Sequence, residues 1–153
     1  MPGKVAILMG SKSDIPLVEK AEEIFRQFEV ACETHVLSAH RTPNKVRKFA
    51  LQAEQSGIDT ILAVAGLAAH LPGVLASLTT IPVIGVPAGG GPLSGQDALY
   101  SIVQMPPGIP VASVGIGNAK NAALYAAQML ALKYPGLRDK VKSYRSQFGD
   151  DAD

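Results

Sequence analysis

The chain has 153 residues, enough for one domain with a real core, and is 47% hydrophobic and 18% charged with a net charge of +1. Near-neutral charge, no tryptophan and 5% aromatic residues argue against a nucleic-acid surface, which needs basic patches and stacking platforms. No apolar run reaches the ~20 residues that span a bilayer and no secretory leader is visible, so no membrane partner and a soluble, cytoplasmic protein are expected.

Lys4–Met9 (KVAILM) is a short apolar run, the pattern of a parallel strand buried on both faces. Gly10-Ser11-Lys12-Ser13-Asp14 follows, and then a helix whose apolar positions Val18, Ala21, Phe25 and Phe28 repeat at helical spacing. Ser13 or Asp14 is the expected cap, with Pro16 in the first turn, where its missing N–H is not needed. A strand, a glycine turn carrying hydroxyls and a helix N-terminus make an anion site, because free N–H groups and the positive helix end converge there. The glycines are too few for a dinucleotide fingerprint and the P-loop pattern is absent, so the expected ligand is a monophosphate or another small polar group. Capping alone accounts for Ser13 and Asp14 but gives no reason for Ser11 and Lys12.

Val30–Leu37 reads as the second strand; within it Cys32, the only cysteine, is expected to be a small core residue rather than a nucleophile. Ser38-Ala39-His40-Arg41-Thr42-Pro43 then lies at the carboxyl end of that strand, where open α/β sheets bind their ligands. Histidine is the side chain whose charge changes near neutral pH, and arginine presents a planar fork suited to phosphate or carboxylate. The bland alternative is an ordinary helix start at Thr42-Pro43 with His40 and Arg41 solvated. A helix is expected over Pro43–Ser56, with Val46, Phe49, Ala50 and Ala53 inward, Lys45, Arg47 and Lys48 forming a solvated face, and Gly57 closing it.

Asp59–Ala65 is the third strand. Small residues in the following Gly66–Gly73 stretch let a backbone approach a ligand closely. His70 sits just beyond a strand end, as His40 does, or else is a first-turn helix residue bonded to a neighbouring carbonyl. A short helix over Val74–Leu78 leads to a fourth strand, Ile81–Val86, and a glycine-proline loop, Pro87–Pro92. Leu93–Gln104 looks helical with Ser94 as its cap, and Met105–Pro110 breaks the chain before a fifth strand, Val111–Ile116. Asn118–Tyr134 is a helix with almost no polar face, which together with the low charge points to contact with another subunit. Leu137–Phe148 is a last amphipathic helix with Val141, Tyr144 and Phe148 on one side, and Gly149–Asp153 is an acidic tail expected to fray.

Strands alternating with helices imply an α/β fold with three α/β/α layers. We expect a flavodoxin-like, five-stranded parallel sheet in the order 2-1-3-4-5, with extra C-terminal helices and a switch point between strands 1 and 3. Residues 1–153 read as a single domain with a core over about 4–132. The crevice would be bordered by the Ser11–Asp14 and Gly66–His70 loops, with Ser38–Pro43 beside it. A non-catalytic nucleotide-binding module could share this architecture but would need no histidine at the crevice. An FMN carrier would place aromatics around its ring, and these loops contain none.

Four segments in this order resemble one family. They are Met9-Gly10-Ser11-Lys12-Ser13-Asp14, Ser38-Ala39-His40-Arg41-Thr42-Pro43, Ala68-Ala69-His70-Leu71-Pro72-Gly73, and Leu93-Ser94-Gly95 through Tyr100-Ser101-Ile102-Val103-Gln104-Met105-Pro106. The family is the N5-carboxyaminoimidazole ribonucleotide mutase of purine biosynthesis, and the resemblance runs from Lys4 to about Leu132. It implies an isomerase that moves a carboxylate from the exocyclic nitrogen of the substrate to ring carbon C4, with no metal, ATP, biotin or other cofactor. The implied route is decarboxylation to aminoimidazole ribonucleotide and trapped CO2, attack of the ring carbon on that CO2, and loss of the C4 proton. Carried over by motif, His40 is the general acid/base. Ser11, Asp14, Ser38 and Arg41 bind substrate, with Arg41 and serine hydroxyls near the phosphate and Asp14 near the ribose. Gly66, Ala68, His70 and Leu71 border the base and CO2 pocket. Family members are homo-octamers whose partner is the small ribonucleotide.

The chain departs from the family at Leu67, where a second glycine is common, and at Pro107, where a basic residue is common. A related branch carboxylates aminoimidazole ribonucleotide with free CO2 and differs at the third loop. The Ala68–Gly73 segment has the mutase form, which ranks the carboxylase second.

Overall fold

Successive side chains of a strand point to opposite faces, so a strand that is apolar throughout must be covered on both. The computed structural model, which describes residues 2–149, meets that requirement with one sheet between two helical layers. β1 (Lys4–Met9), β2 (Ala31–Val36), β3 (Thr60–Ala65), β4 (Val83–Pro87) and β5 (Ala112–Ser113) are parallel, in the order β2-β1-β3-β4-β5. This is the expected flavodoxin-like order, and the register sets Val5 beside Thr60, Met9 beside Val64 and Ile61 beside Val83.

The odd residues of β1 (Val5, Ile7, Met9) join Leu62, Val64, Ile84 and Val86 beneath α1 (Ile15–Gln27), α5 (Ala119–Lys133) and α6 (Gly136–Ser146). The even ones (Ala6, Leu8) join Ile61, Ala63 and Ala65 against α2 (Pro43–Gln52), α3 (Leu71–Ala76) and α4 (Gln96–Val103). β2 is an edge strand, and its pattern alternates between half-buried and exposed.

Several expected boundaries move, each for a local reason. Asp14 takes the N-cap position of α1, which starts at Ile15, but makes no side-chain cap bond; Ser11 caps a preceding 3-10 turn over Lys12–Asp14, its Oγ accepting from Ser13 N. α2 stops at Gln52, short of Ser56, and the remaining residues turn tightly to Gly57 at φ +73°. α3 begins at Leu71, three residues before the expected Val74, because Pro72 in its first turn needs no N–H partner. β4 starts at Val83 rather than Ile81, with Pro82 before it, and runs to Pro87. Ser94 does not cap α4; with Gly95 it lies at positive φ (+54° and +89°), which no helix tolerates, so the helix begins at Gln96. β5 shrinks from the expected Val111–Ile116 to two residues.

Cys32 is exposed and is not the core residue expected, because β2 is the edge strand, where the covering layer is incomplete. Its sulfur is desolvated and lies near the Glu22 carboxylate, which pushes the thiol up to about 12 and leaves it protonated and unreactive at neutral pH. Phe148 falls beyond α6 and is 72% exposed, with its ring edge-on to Tyr144, so it does not complete the inner face of that helix. The apolar α5 is largely accounted for within the chain: Ala119, Ala122, Ala123, Ala126 and Ala127 pack into the first core, leaving Tyr125 and Leu132 outside. The acidic tail beyond Gly149 lies outside the described residues. Among the described residues no helix is long and apolar enough to cross a membrane.

Candidate active site

β1 lies between β2 and β3, so the chain leaves it in one direction and returns past it in the other, opening a crevice at the carboxyl ends. Three loops meet there. The first, Gly10–Asp14, is fixed to the sheet by Gly10 N–H donating to Val64 O at 3.2 Å. The second, Ser38–Thr42, leaves β2 just after Leu37 N–H donates to Met9 O at 2.9 Å. The third, Gly66–His70, joins β3 to α3.

The second loop is braced from within. Thr42 sits at the start of α2 but does not cap it. Its Oγ1 accepts from Ser38 N at 2.9 Å and donates to Ser38 O at 3.1 Å, while Ser38 Oγ accepts from Arg41 N at 3.1 Å. These bonds fold Ser38–Thr42 into a tight turn and leave His40 and Arg41 exposed at its tip.

The two tip residues reach different neighbours. Arg41 Nη2 donates to Gly10 O at 2.8 Å, tying the second loop to the first. His40 Nε2 lies 2.7 Å from His70 Nδ1, tying it to the third, with ring centroids 4.7 Å apart and planes at 79°. One of those two nitrogens donates and the other accepts. His70 occupies the N-cap position of α3 without a side-chain cap bond; its imidazole faces His40 rather than a nearby carbonyl.

Ser11 and Asp14 are half-buried on the first loop. Ser11 Oγ accepts from both Ser13 N (3.3 Å) and Ser13 Oγ (3.0 Å). Burial lifts the Asp14 carboxyl above its ordinary range, partly offset by the Ser11 backbone N–H. On the third loop Gly66 lies against the next strand's end: a Cβ there would be 3.3 Å from Ala88 Cβ. Ala68 is exposed and its carbonyl accepts from His70 N at 2.8 Å. Leu71, expected beside the pocket, has its side chain only 2% exposed in the second core, so that side chain supports α3 rather than meeting a ligand. No local pattern marks the Gly10 carbonyl as the partner of Arg41 or Thr42 as the brace of its loop.

A separate concavity of about 840 Å³ opens at the other end of the sheet, between the end of α2 and Gly108–Ala112. Glu54 is the only ionisable residue among its walls, whereas the titratable groups converge at the carboxyl end. Chemistry therefore selects the crevice over this hollow.

A family model described as AIR carboxylase matches residues 4–151. A protein of Pyrococcus abyssi named N5-carboxyaminoimidazole ribonucleotide mutase is 58% identical over 93% of this chain and 82% of its own length. One of Escherichia coli with the same name is 50% identical over 98% and 90%. The crystal structure of Treponema denticola PurE superimposes with a TM-score of 0.84 at 32% identity, covering 94% of this chain and 90% of that one. With a family match over nearly its whole length and relatives at this identity, the chain belongs to the AIR carboxylase family.

Proposed function

We propose that this chain is an N5-carboxyaminoimidazole ribonucleotide mutase, with residues 1–153 as one domain. The single observation that carries the chemistry is the His40–His70 contact of 2.7 Å across two loops at the sheet's switch point. An imidazole is suited to proton transfer in both directions near neutral pH, and a neighbouring imidazole can orient it and share its proton.

In the proposed reaction the bond between the exocyclic nitrogen and the carboxylate carbon breaks, releasing CO2, and His40 gives that nitrogen its proton. Ring carbon C4 then attacks the CO2, a carbon–carbon bond forms, and His40 takes the C4 proton. One proton leaves the ring nitrogen of His40 and one returns, so the cycle closes without an external acid or base. CO2 is small and weakly held, so the site must keep it beside C4 and away from water. Arg41 and the Ser11 and Ser38 hydroxyls hold the phosphate in this reading, and Asp14 accepts from the ribose. Gly66, Ala68 and His70 border the base, with Leu71 acting through the placement of α3. The substrate is a phosphorylated ribonucleotide that membranes retain, so we place the enzyme in the cytoplasm. We also propose a homo-octamer, supported by exposed Tyr100, Val103, Tyr125 and Leu132.

A second reading, carboxylation of aminoimidazole ribonucleotide by free CO2, is favoured by the description of the matching family model. An ultraviolet or NMR assay separates the two. The mutase converts the N5-carboxylated substrate and leaves aminoimidazole ribonucleotide with bicarbonate unchanged; the reverse pattern overturns it. His40→Asn should retain substrate binding while kcat falls by about 10²–10⁴. Full turnover in that variant removes His40 from the mechanism.

A further inference from the structure

Leu67 is the large aliphatic residue between β3 and His70, and its setting is unusual in two ways. Its backbone lies at φ +53°, the left-handed region where a Cβ is crowded and glycine is at home. Its side chain is 54% exposed and belongs to neither core. What the side chain touches is the next loop: a Cβ built on Gly91 would lie 2.4 Å from Leu67 Cδ2 and 3.8 Å from its Cγ. Leu67 thus fills the space that any larger residue at 91 would need.

The glycine loop is gripped from the other side as well. Cβ atoms on Gly89 and Gly95 would lie 3.3 Å and 2.6 Å from Cγ2 of Ile116, which follows β5. Gly89, Gly90 and Gly91 bring no side chains with which to anchor the loop themselves. Two aliphatic residues from flanking loops therefore hold it in place, and one of them stands three residues before His70. The turn from Leu67 to His70 is short and closed by His70 N–H donating to Ala68 O at 2.8 Å, so displacement at one end is passed to the other.

We propose that Leu67 is a positioning residue: seated on Gly91, it locks the glycine loop to the Gly66–His70 turn and so holds the His70 imidazole within reach of His40. Its activity consequence rests on the mutase reading above, while its structural consequence does not.

The test combines turnover of the N5-carboxylated substrate, amide hydrogen exchange and a double-mutant cycle. Leu67→Ala should lower kcat about tenfold while KM stays within about threefold, a modest part of what a 1 Å misplacement can cause. Exchange at residues 68–70 and 89–91 should quicken together by about tenfold. Leu67→Met keeps a long apolar side chain and should stay within about twofold of the parent in all three readouts. Gly91→Ala is strained at φ +80° in any background, but it meets Leu67 only in the parent. It should therefore lower the unfolding midpoint more in the parent than in Leu67→Ala.

Unchanged exchange at 89–91 in Leu67→Ala overturns the proposal, as does an equal effect of Gly91→Ala in both backgrounds. So does a loss of kcat without faster exchange, or faster exchange with full kcat. If the parent itself does not isomerise the substrate, the proposed function fails, and exchange and the cycle still decide the contact between the loops.

Discussion

Gly85 in the centre of β4 offers a test of how the second core sets the site. A Cβ at this position would lie 2.4 Å from Ile102 Cγ2 and 3.3 Å from Pro72 Cβ. Ordinary contact begins at 3.4 Å, so Ile102 would have to retreat by about 1 Å. Ile102 is fully buried on α4, and overpacking of this kind costs about 1–3 kcal/mol. Against this, replacing glycine lowers the entropy of the unfolded chain, worth about 0.4–1 kcal/mol in favour of the variant. At mid-range Gly85→Ala should therefore lose roughly 1.3 kcal/mol, a fall in Tm of about 3–5 °C for a chain of this size.

The choice of suppressor sharpens the test. Ile102→Leu removes the offending Cγ2 and conserves volume, whereas Ile102→Val keeps Cγ2 and deletes only the far methyl. In the Gly85→Ala background leucine should recover most of the loss and valine none. The assay is urea unfolding followed by circular dichroism at fixed protein concentration, since the midpoint of any self-associating chain depends on it. Full stability of Gly85→Ala, or rescue by valine as good as by leucine, refutes the packing argument. Pro72 stands two residues after His70, so Gly85→Ala should also depress turnover, and the leucine suppressor should restore it.

In the proposed reading Arg41 meets the phosphate while holding Gly10 O, and an ammonium cannot span both, so Arg41→Lys should raise KM about tenfold with a smaller effect on kcat; steady-state kinetics check it. Asp14→Asn should weaken substrate binding yet stabilise the fold at neutral pH. Burial raises the folded-state pKa of Asp14, so the unfolded chain ionises first, and the penalty grows as pH rises through that window and is complete above it. The stability gain of the variant should thus be present at pH 7 and vanish in acid. Asp59→Ala should cost about 1–3 kcal/mol at neutral pH by stranding partners of a part-buried carboxylate. Burial pushes the Asp59 pKa up, but hydrogen bonds from Lys133, Lys4 N–H and Tyr134 outweigh it and leave it lowered. Its stabilisation is therefore full above the unfolded carboxylate range and lost as pH falls through the folded value, so parent and variant should converge in acid unfolding curves.

The sheet was legible because its signal is redundant. KVAILM, DTILAVA and IPVIGV read as doubly covered strands, and right-handed crossovers leave few orders, among which 2-1-3-4-5 is the flavodoxin-like one. Helix starts were read less well: Asp14 holds the N-cap position but makes no cap bond, and Ser94 has the right chemistry at the wrong backbone angle. Ser94 and Gly95 at positive φ are set by the fit of Gly95 beneath Ala88 O and Ile116, a contact between distant segments. His40 and His70 could each be placed at a strand end from local pattern alone. Their hydrogen bond spans thirty positions of sequence and depends on α3 starting at Leu71, which propensity does not specify. Cys32 was misjudged because alternation identifies a face but not whether a strand is central or at the rim.

The Asp59 cluster has a kinetic consequence. Its carboxylate joins Lys4 N, 55 positions away, to Lys133 and Tyr134, 74 and 75 positions away. Contacts of such long range are made only after the intervening chain has closed, late on the folding route. A late contact adds little to the rate-limiting barrier for assembly and much to the barrier for coming apart. The cluster thus works as a catch fastened at the end: loosening it should leave refolding speed nearly unchanged while shortening the lifetime of the finished molecule.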